Sequence, residues 1–362
     1  MVPVDFDPNG PASIHHNIFG LPFSEEESAL VLLPVPWEVT VSYRAGAARA
    51  PEQIFNASQQ IDLYDLDNPL GWQKGFFMRP IDKDILMRSD YLRKEAELFI
   101  HFQHEGGKLQ DNEFMQNSLY EVNHGGEELN RWVYGQTREL LKKNKRVGLI
   151  GGDHSSPLGY YQALGETYPD FGLLHIDAHL DLRKNYEEFT YSHASIMYNA
   201  LEQVPAISKL VSVGIRDCCE EELTRAAQYA QRVQVFFDQD LKEKQYEGAS
   251  WQSLCEEIIS TLPEKVYISL DIDGLDPKLC PHTGTPVPGG MESGQFCYLV
   301  KKMIESGREL IGFDVVEVAS SPDDYDANVG ARMIFKLCNL MVGQDAEAAR
   351  PRHIPAPGLE NR

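Results

Sequence analysis

Three short clusters of carboxylates and histidines could do chemistry in this chain: Gly151-Gly152-Asp153-His154-Ser155, Asp177-Ala178-His179-Leu180-Asp181 and Asp271-Ile272-Asp273-Gly274-Leu275-Asp276-Pro277. Residues two apart on an extended segment point the same way. Asp177, His179 and Asp181 are therefore expected to converge, and Asp271 and Asp273 to share that geometry. With His154, the set holds two imidazoles and four carboxylates. Four carboxylates in one place repel one another unless cations neutralise them. The mixture of hard oxygen and nitrogen donors suits Mn²⁺, or a borderline ion such as Ni²⁺, better than a thiolate-loving metal. Six such ligands suffice for two divalent ions with a water between them, and such a pair yields hydroxide near neutral pH.

The elements that must position these residues are visible in the same stretches. Each cluster directly follows an apolar run: VGLI, GLLHI and VYISL. Strands are expected at 29–35, 146–150, 172–176, 210–215, 233–237, 266–270 and 310–316, with helical segments such as 219–231 and 291–305 between them, and a helix following Pro51. This alternation predicts an α/β fold with a mostly parallel sheet covered on both faces. The clusters then lie at the carboxyl edge of the sheet, where open α/β folds bind ligands. Residues 88–145 interrupt the rhythm and read as a polar helical insertion punctuated by Gly106-Gly107 and Gly125-Gly126. The expected organisation is an arm over 1–26, a single domain over 27–343 that includes the insertion, and an irregular tail over 344–362 with Pro351, Pro355 and Pro357.

Composition narrows the function classes. The 362 residues carry 33 Lys and Arg against 55 Asp and Glu, a net charge of −22. Such a chain is repelled by nucleic acid and by anionic membranes. No apolar run approaches the roughly 18 residues of a membrane span. The opening MVPVDFDPNGPASIHHNIFG lacks a basic segment followed by an apolar one, so no secretory signal is expected. Cys218, Cys219, Cys255, Cys280, Cys297 and Cys338 form no C-x-x-C pair and read as free thiols of a cytoplasmic protein.

Taken together, GGDHS at 151–155, DAHLD at 177–181 and SLDIDGLDP at 269–277 resemble the signature motifs of the ureohydrolases. That family comprises arginase, agmatinase, guanidinobutyrase, formiminoglutamase and the guanidine hydrolases, and the resemblance runs from about residue 30 to 342. It implies a three-layer α/β/α fold, a dinuclear centre of Mn²⁺ or Ni²⁺, and a homo-oligomer, trimer or hexamer. Nickel would bring accessory insertion proteins. One ion would take His154, Asp177, Asp181 and Asp271. The other would take Asp177, His179, Asp271 and Asp273, so that Asp177 and Asp271 bridge. Phe313-Asp314-Val315-Val316-Glu317-Val318 matches the family strand whose glutamate, here Glu317, holds the guanidinium. A carboxylate is a natural bidentate partner for that planar cation. Tyr191-Ser192-His193-Ala194 matches the segment carrying a mobile histidine, so His193 is the expected proton shuttle. His193, Glu317 and Asp181 are thus the expected catalytic residues.

Departures from the family pattern bear on the substrate. Cys219 stands after Gly214-Ile215-Arg216-Asp217, where arginases present an acid, and Arg183 stands where they present an asparagine. Trp37 and His282 add bulk at expected rim positions, and Thr283 in HTGTPVPGG is an expected hydrogen-bond donor to substrate. A short pocket closed by Arg183, unless Glu187 or Glu188 neutralises it, favours free guanidine, hydrolysed to urea and ammonia. The alternatives are agmatine, then 4-guanidinobutyrate or formiminoglutamate. An inactive scaffold that binds guanidino metabolites is a further reading, against which the full ligand set argues. A one-zinc deacetylase does not fit two complete metal sites.

Overall fold

The run LVLLPV is buried at every position, and a strand buried on both faces needs a helical layer on each side. The computed structural model, which describes residues 6–13, 15–321 and 323–344, supplies both layers. The strands are β1 (Leu30–Val35), β2 (Phe76–Met78), β3 (Arg146–Gly151), β4 (Phe171–Ile176), β5 (Ile207–Ile215), β6 (Val233–Phe237), β7 (Lys265–Asp271) and β8 (Glu309–Val316). They form one sheet in the order β2-β1-β3-β8-β7-β4-β5-β6, and every pairing is parallel. All seven expected strands are present, with edges moved by at most three residues. The edge strand β2 has only three residues, too few to show a period.

The longer helices are α1 (Ala50–Ser58), α2 (Lys83–His104), α3 (Glu113–Lys142), α4 (Leu158–Thr167), α5 (Ile196–Gln203), α6 (Glu220–Gln228), α7 (Asp238–Tyr246), α8 (Trp251–Ser260), α9 (Ser293–Glu305) and α10 (Tyr325–Gly343). Alternate residues of β1 divide between two cores. Leu30 and Leu32 belong to the core that includes α1, α8, α9 and α10, whereas Val31 and Leu33 belong to the one that includes α2, α3, α4 and α5.

Residues 88–145 fall largely in α2 and α3, the crossover from β2 to β3. Asp82 caps α2 by accepting from the N–H groups of Asp84 and Ile85, and Asn112 caps α3 by accepting from Met115. Leu92, Phe99, Val122, Leu129 and Val133 are buried against Val31, Leu33 and Val147, so the two helices form part of the layer on that face. Gly125 and Gly126 do not break α3. A Cβ on Gly125 would lie 2.2 Å from Leu92 Cδ1, so this glycine lets α2 and α3 touch. The irregular tail expected over 344–362 lies, apart from Gln344, outside the described residues.

For the site, the decisive fact is strand order. β3, β8, β7, β4 and β5 are consecutive neighbours, so the loops leaving their carboxyl ends meet at one edge.

Candidate active site

After β3 the chain turns sharply. Gly152 N–H donates to Val35 O and Asp153 N–H to Trp37 O. A Cβ on Gly152 would fall 1.8 Å from Trp37 O, so only glycine fits there. Asp153 faces inward, accepting from Ser155 N and Val39 N at 2.9 and 3.2 Å. The turn leaves His154 buried at the sheet edge. Its Nδ1 lies 3.0 Å from Asp177 Oδ2, 3.0 Å from Asp181 Oδ2 and 3.3 Å from Asp271 Oδ2, yet it makes no hydrogen bond.

The loop after β4 supplies the next donor groups. Ala178, Leu180 and Leu182 are buried, which turns Asp177, His179 and Asp181 the other way, as the alternation predicts. Asp177 lies between the two histidines. Its Oδ2 faces His154, while its Oδ1 is 3.4 Å from His179 Nδ1, which is 3.2 Å from Asp273 Oδ2. The pair after β7 does not follow the extended geometry. Residues Ile272–Gly274 form a 3-10 turn, and Asp271 Oδ1 accepts from Asp273 N at 2.9 Å. The two carboxylates reach the cluster through that turn.

Electrostatics bears on whether this donor set fits cations. Burial raises Asp271 well above the usual carboxylate range, and Asp273 and Asp177 add to it. Burial pushes Asp181 up to about 6, with Asp177 contributing. Burial alone would lower His154, but Asp177, Asp181 and Asp271 hold it well above its usual value. Burial likewise opposes protonation of His179, but Asp273 and Asp177 push it up to about 12. Protons on these side chains stand in for missing positive charge. A buried imidazole nitrogen that faces three carboxylate oxygens without a hydrogen bond, in a cluster that draws in cationic charge, fits divalent metal.

Glu317 sits at the end of β8, in the next loop. Its N–H donates to Gly152 O, its Oε1 accepts from His154 N at 2.8 Å, and its carbonyl accepts from Thr283 Oγ1 at 2.8 Å. Burial raises its pKa well above the usual range, with Asp271 and Asp153 adding repulsion. Glu317 and Asp181 both have left-handed backbones, with φ of 60° and 53°. Strain of that kind persists where surrounding contacts impose it, and here it aims two carboxylates. His193 opens the 3-10 turn before α5, within 3.4 Å of Thr40 Oγ1 and edge-on to the Tyr186 ring. Burial and the nearby His179 and His154 push it down to about 3, so it is a neutral base at neutral pH.

These groups line a cavity of about 190 Å³, from buried His154, Asp271 and Glu317 to the more exposed Arg183, Tyr186 and Asp217. Several expected rim residues are elsewhere. Trp37 is 2% exposed and packed in the core under α2, because its carbonyl anchors the turn after β3. His282 is held by Asp326, through its Nδ1 at 2.9 Å and its backbone N–H at 3.0 Å. Thr283 spends its hydroxyl on the Glu317 carbonyl, and Thr285 lines the cavity instead. Arg183 does line it, with its guanidinium 4.9 Å over the Tyr186 ring.

Sequence reasoning missed Glu222, the acid nearest Arg183. It is buried at the cavity wall on α6, its Oε2 lies 3.8 Å from Arg183 Nε, and it accepts from Leu182 N and Cys219 N at 3.1 Å each. A signal existed in its place three residues after Cys219, the spacing of a helix-start carboxylate. His175 was also missed. A histidine inside the apolar run of β4, it reaches Asp177 Oδ2 at 2.8 Å and Ser212 Oγ at 3.0 Å.

The sequence model of the Arginase family matches residues 28–339. N(1)-aminopropylagmatine ureohydrolase of Thermus thermophilus is 31% identical over 316 residues, spanning 87% of this chain and 91% of that protein. Agmatinase of Halalkalibacterium halodurans is 28% identical, spanning 82% and 86%. The crystal structure of agmatine ureohydrolase of Thermoplasma volcanium superposes with a TM-score of 0.66 at 22% identity, covering 88% of this chain and 92% of that one, and bears on the fold alone.

Proposed function

The chain belongs to the arginase family and is a ureohydrolase, a C–N hydrolase of guanidino compounds, and from that premise we propose that its substrate is of the agmatine class, with a cationic amine tail. The observation that carries this reading is the acid at the cavity wall. Glu222 offsets Arg183, and Asp217 adds a second carboxylate at the rim, so a tail ammonium meets net negative charge. The free-guanidine reading needed an unbalanced Arg183 and a rim closed by Trp37 and His282, and these residues are placed otherwise. The names of the two sequence relatives point the same way.

In this reading His154, Asp177, Asp181 and Asp271 hold one divalent ion, and Asp177, His179, Asp271 and Asp273 the other. When bound, such ions neutralise the carboxylates and acidify water. Glu317 pairs with the guanidinium and fixes the carbon that water attacks. His193, neutral beforehand, takes up a proton and hands it to the leaving amine, which departs as ammonium-tailed amine while urea remains. We take the ions to be Mn²⁺ or Ni²⁺, the assembly a homotrimer or hexamer, and the compartment the cytoplasm. No described helix is long and apolar enough to cross a membrane.

The test is urea release from agmatine, N(1)-aminopropylagmatine, 4-guanidinobutyrate, arginine and guanidine on one metal-loaded sample. One of the two amine-tailed substrates is expected to exceed guanidine in kcat/KM by about tenfold or more, ~1.4 kcal/mol. A preference for guanidine overturns the reading, and a preference for 4-guanidinobutyrate makes Arg183 a carboxylate reader. Glu317→Gln removes the charge partner of the guanidinium. It is expected to lower kcat/KM about thirtyfold or more, ~2 kcal/mol, with metal content unchanged. Wild-type kinetics in that variant would take the guanidinium away from Glu317.

A further inference from the structure

Asp314 and Ser269 are paired neighbours on β8 and β7, one layer beneath the metal-type ligands and outside the cavity. Both are fully buried, with no exposed surface. Asp314 Oδ1 accepts from Ser269 Oγ at 3.0 Å, and its Oδ2 accepts from the Tyr161 hydroxyl at 3.1 Å. On its other side Ser269 Oγ lies 2.9 Å from His154 Nε2. A carboxylate buried this deeply, met by hydroxyls, is costly to keep unless it serves a purpose. The described function assigns it none.

We propose that Asp314 is a positioning residue that, through Ser269, fixes which nitrogen of His154 carries hydrogen, and so prepares that histidine to bind metal. The inference rests on the reading of His154 as a ligand. Its logic is the direction of the hydrogen bonds. Burial raises Asp314 above the usual carboxylate range, while the Ser269 and Tyr161 hydroxyls that donate to it favour its ionised form; that carboxylate only accepts, and a serine has one hydroxyl proton. Ser269 spends that proton on Asp314, so its oxygen faces His154 Nε2 as an acceptor. Nε2 must then carry the hydrogen. In the neutral imidazole this leaves a lone pair on Nδ1, the atom that faces Asp177, Asp181 and Asp271. An asparagine at 314 can donate through its amide. The serine is then free to turn its proton toward His154, which favours hydrogen on Nδ1 and blocks ligation. Outer partners of metal-bound histidines act in this way and typically change metal affinity about 10–100-fold.

The experiment is calorimetric titration of the metal-free protein with Mn²⁺, comparing wild type, Asp314→Asn and Ser269→Ala, each checked for folding by circular dichroism. Wild type is expected to take two ions. In both variants one ion is expected to bind about 10–100-fold more weakly while the other keeps its affinity. A general loosening of the core would weaken both ions together, and that result overturns the proposal. So does wild-type affinity at both sites in either folded variant. If Asp314→Asn does not fold, Ser269→Ala decides by the same criteria, since it removes the hydroxyl that joins Asp314 to His154. Absence of any Mn²⁺ or Ni²⁺ binding in wild type would overturn the metal reading itself, a result distinct from a selective loss that fails to appear.

Discussion

Asp177→Asn is expected to leave a folded protein that retains neither divalent ion and releases urea at about one-thousandth of the wild-type rate or less, since the metal supplies several kcal/mol of transition-state stabilisation. The reason is the place of this side chain. One carboxylate oxygen faces His154 and the other faces His179, so a single residue serves both halves of the cluster. Asparagine keeps the shape but offers one oxygen and no charge. His154→Ala, by contrast, removes a ligand from one half and should mainly weaken one ion. Asp271→Asn is expected to resemble Asp177→Asn, although one oxygen of Asp271 is already engaged by the Asp273 N–H. Elemental analysis of gel-filtered protein settles the matter. About two ions per chain in Asp177→Asn would show that this residue does not bridge, whatever happens to the rate.

His193→Asn should lower kcat by about a hundredfold or more, within the range for loss of a positioned acid–base group, and leave KM nearly unchanged. The imidazole stands in the cavity wall beside Thr40, close enough to the buried cluster for His179 and His154 to depress its basicity. A group with those neighbours resists holding a proton before the reaction and gives one up readily afterwards. Asparagine can still hydrogen-bond to Thr40 but cannot carry a proton. Steady-state kinetics on the metal-replete variant is the check, with metal content measured on the same sample. A rise in KM at constant kcat would mean that His193 binds substrate rather than moving a proton.

Much of this site was legible before any fold was known, and the reason is local. Each residue of the cluster lies one to five positions past the last apolar residue of its strand, and a strand end is encoded by the residues that form it. The alternation in Asp177-Ala178-His179-Leu180-Asp181-Leu182 states which side chains the core takes and which it leaves for the site. Continuous apolar patterning marked seven strands and the two-sided burial of the sheet. What it did not mark were features decided between distant segments. Trp37 is large, but size does not say whether a side chain faces the cavity or the core, and helix α2 settles that by covering it. Gly125 and Gly126 look like breaks in one dimension; in three, Gly125 makes room for α2 and Gly126 for Tyr191. The substrate end of the cavity is assembled from the loop after β4, the loop after β5 and the first turn of α6. The charge that Arg183 meets therefore depends on Glu222, which only the packing of α6 against that loop brings near. The sequence by itself determined the donor set of the cluster, because those carboxylates and imidazoles sit in contiguous residues. Tertiary structure decided the rim, because electrostatic balance there is a sum over side chains that meet only when the sheet has closed its layers.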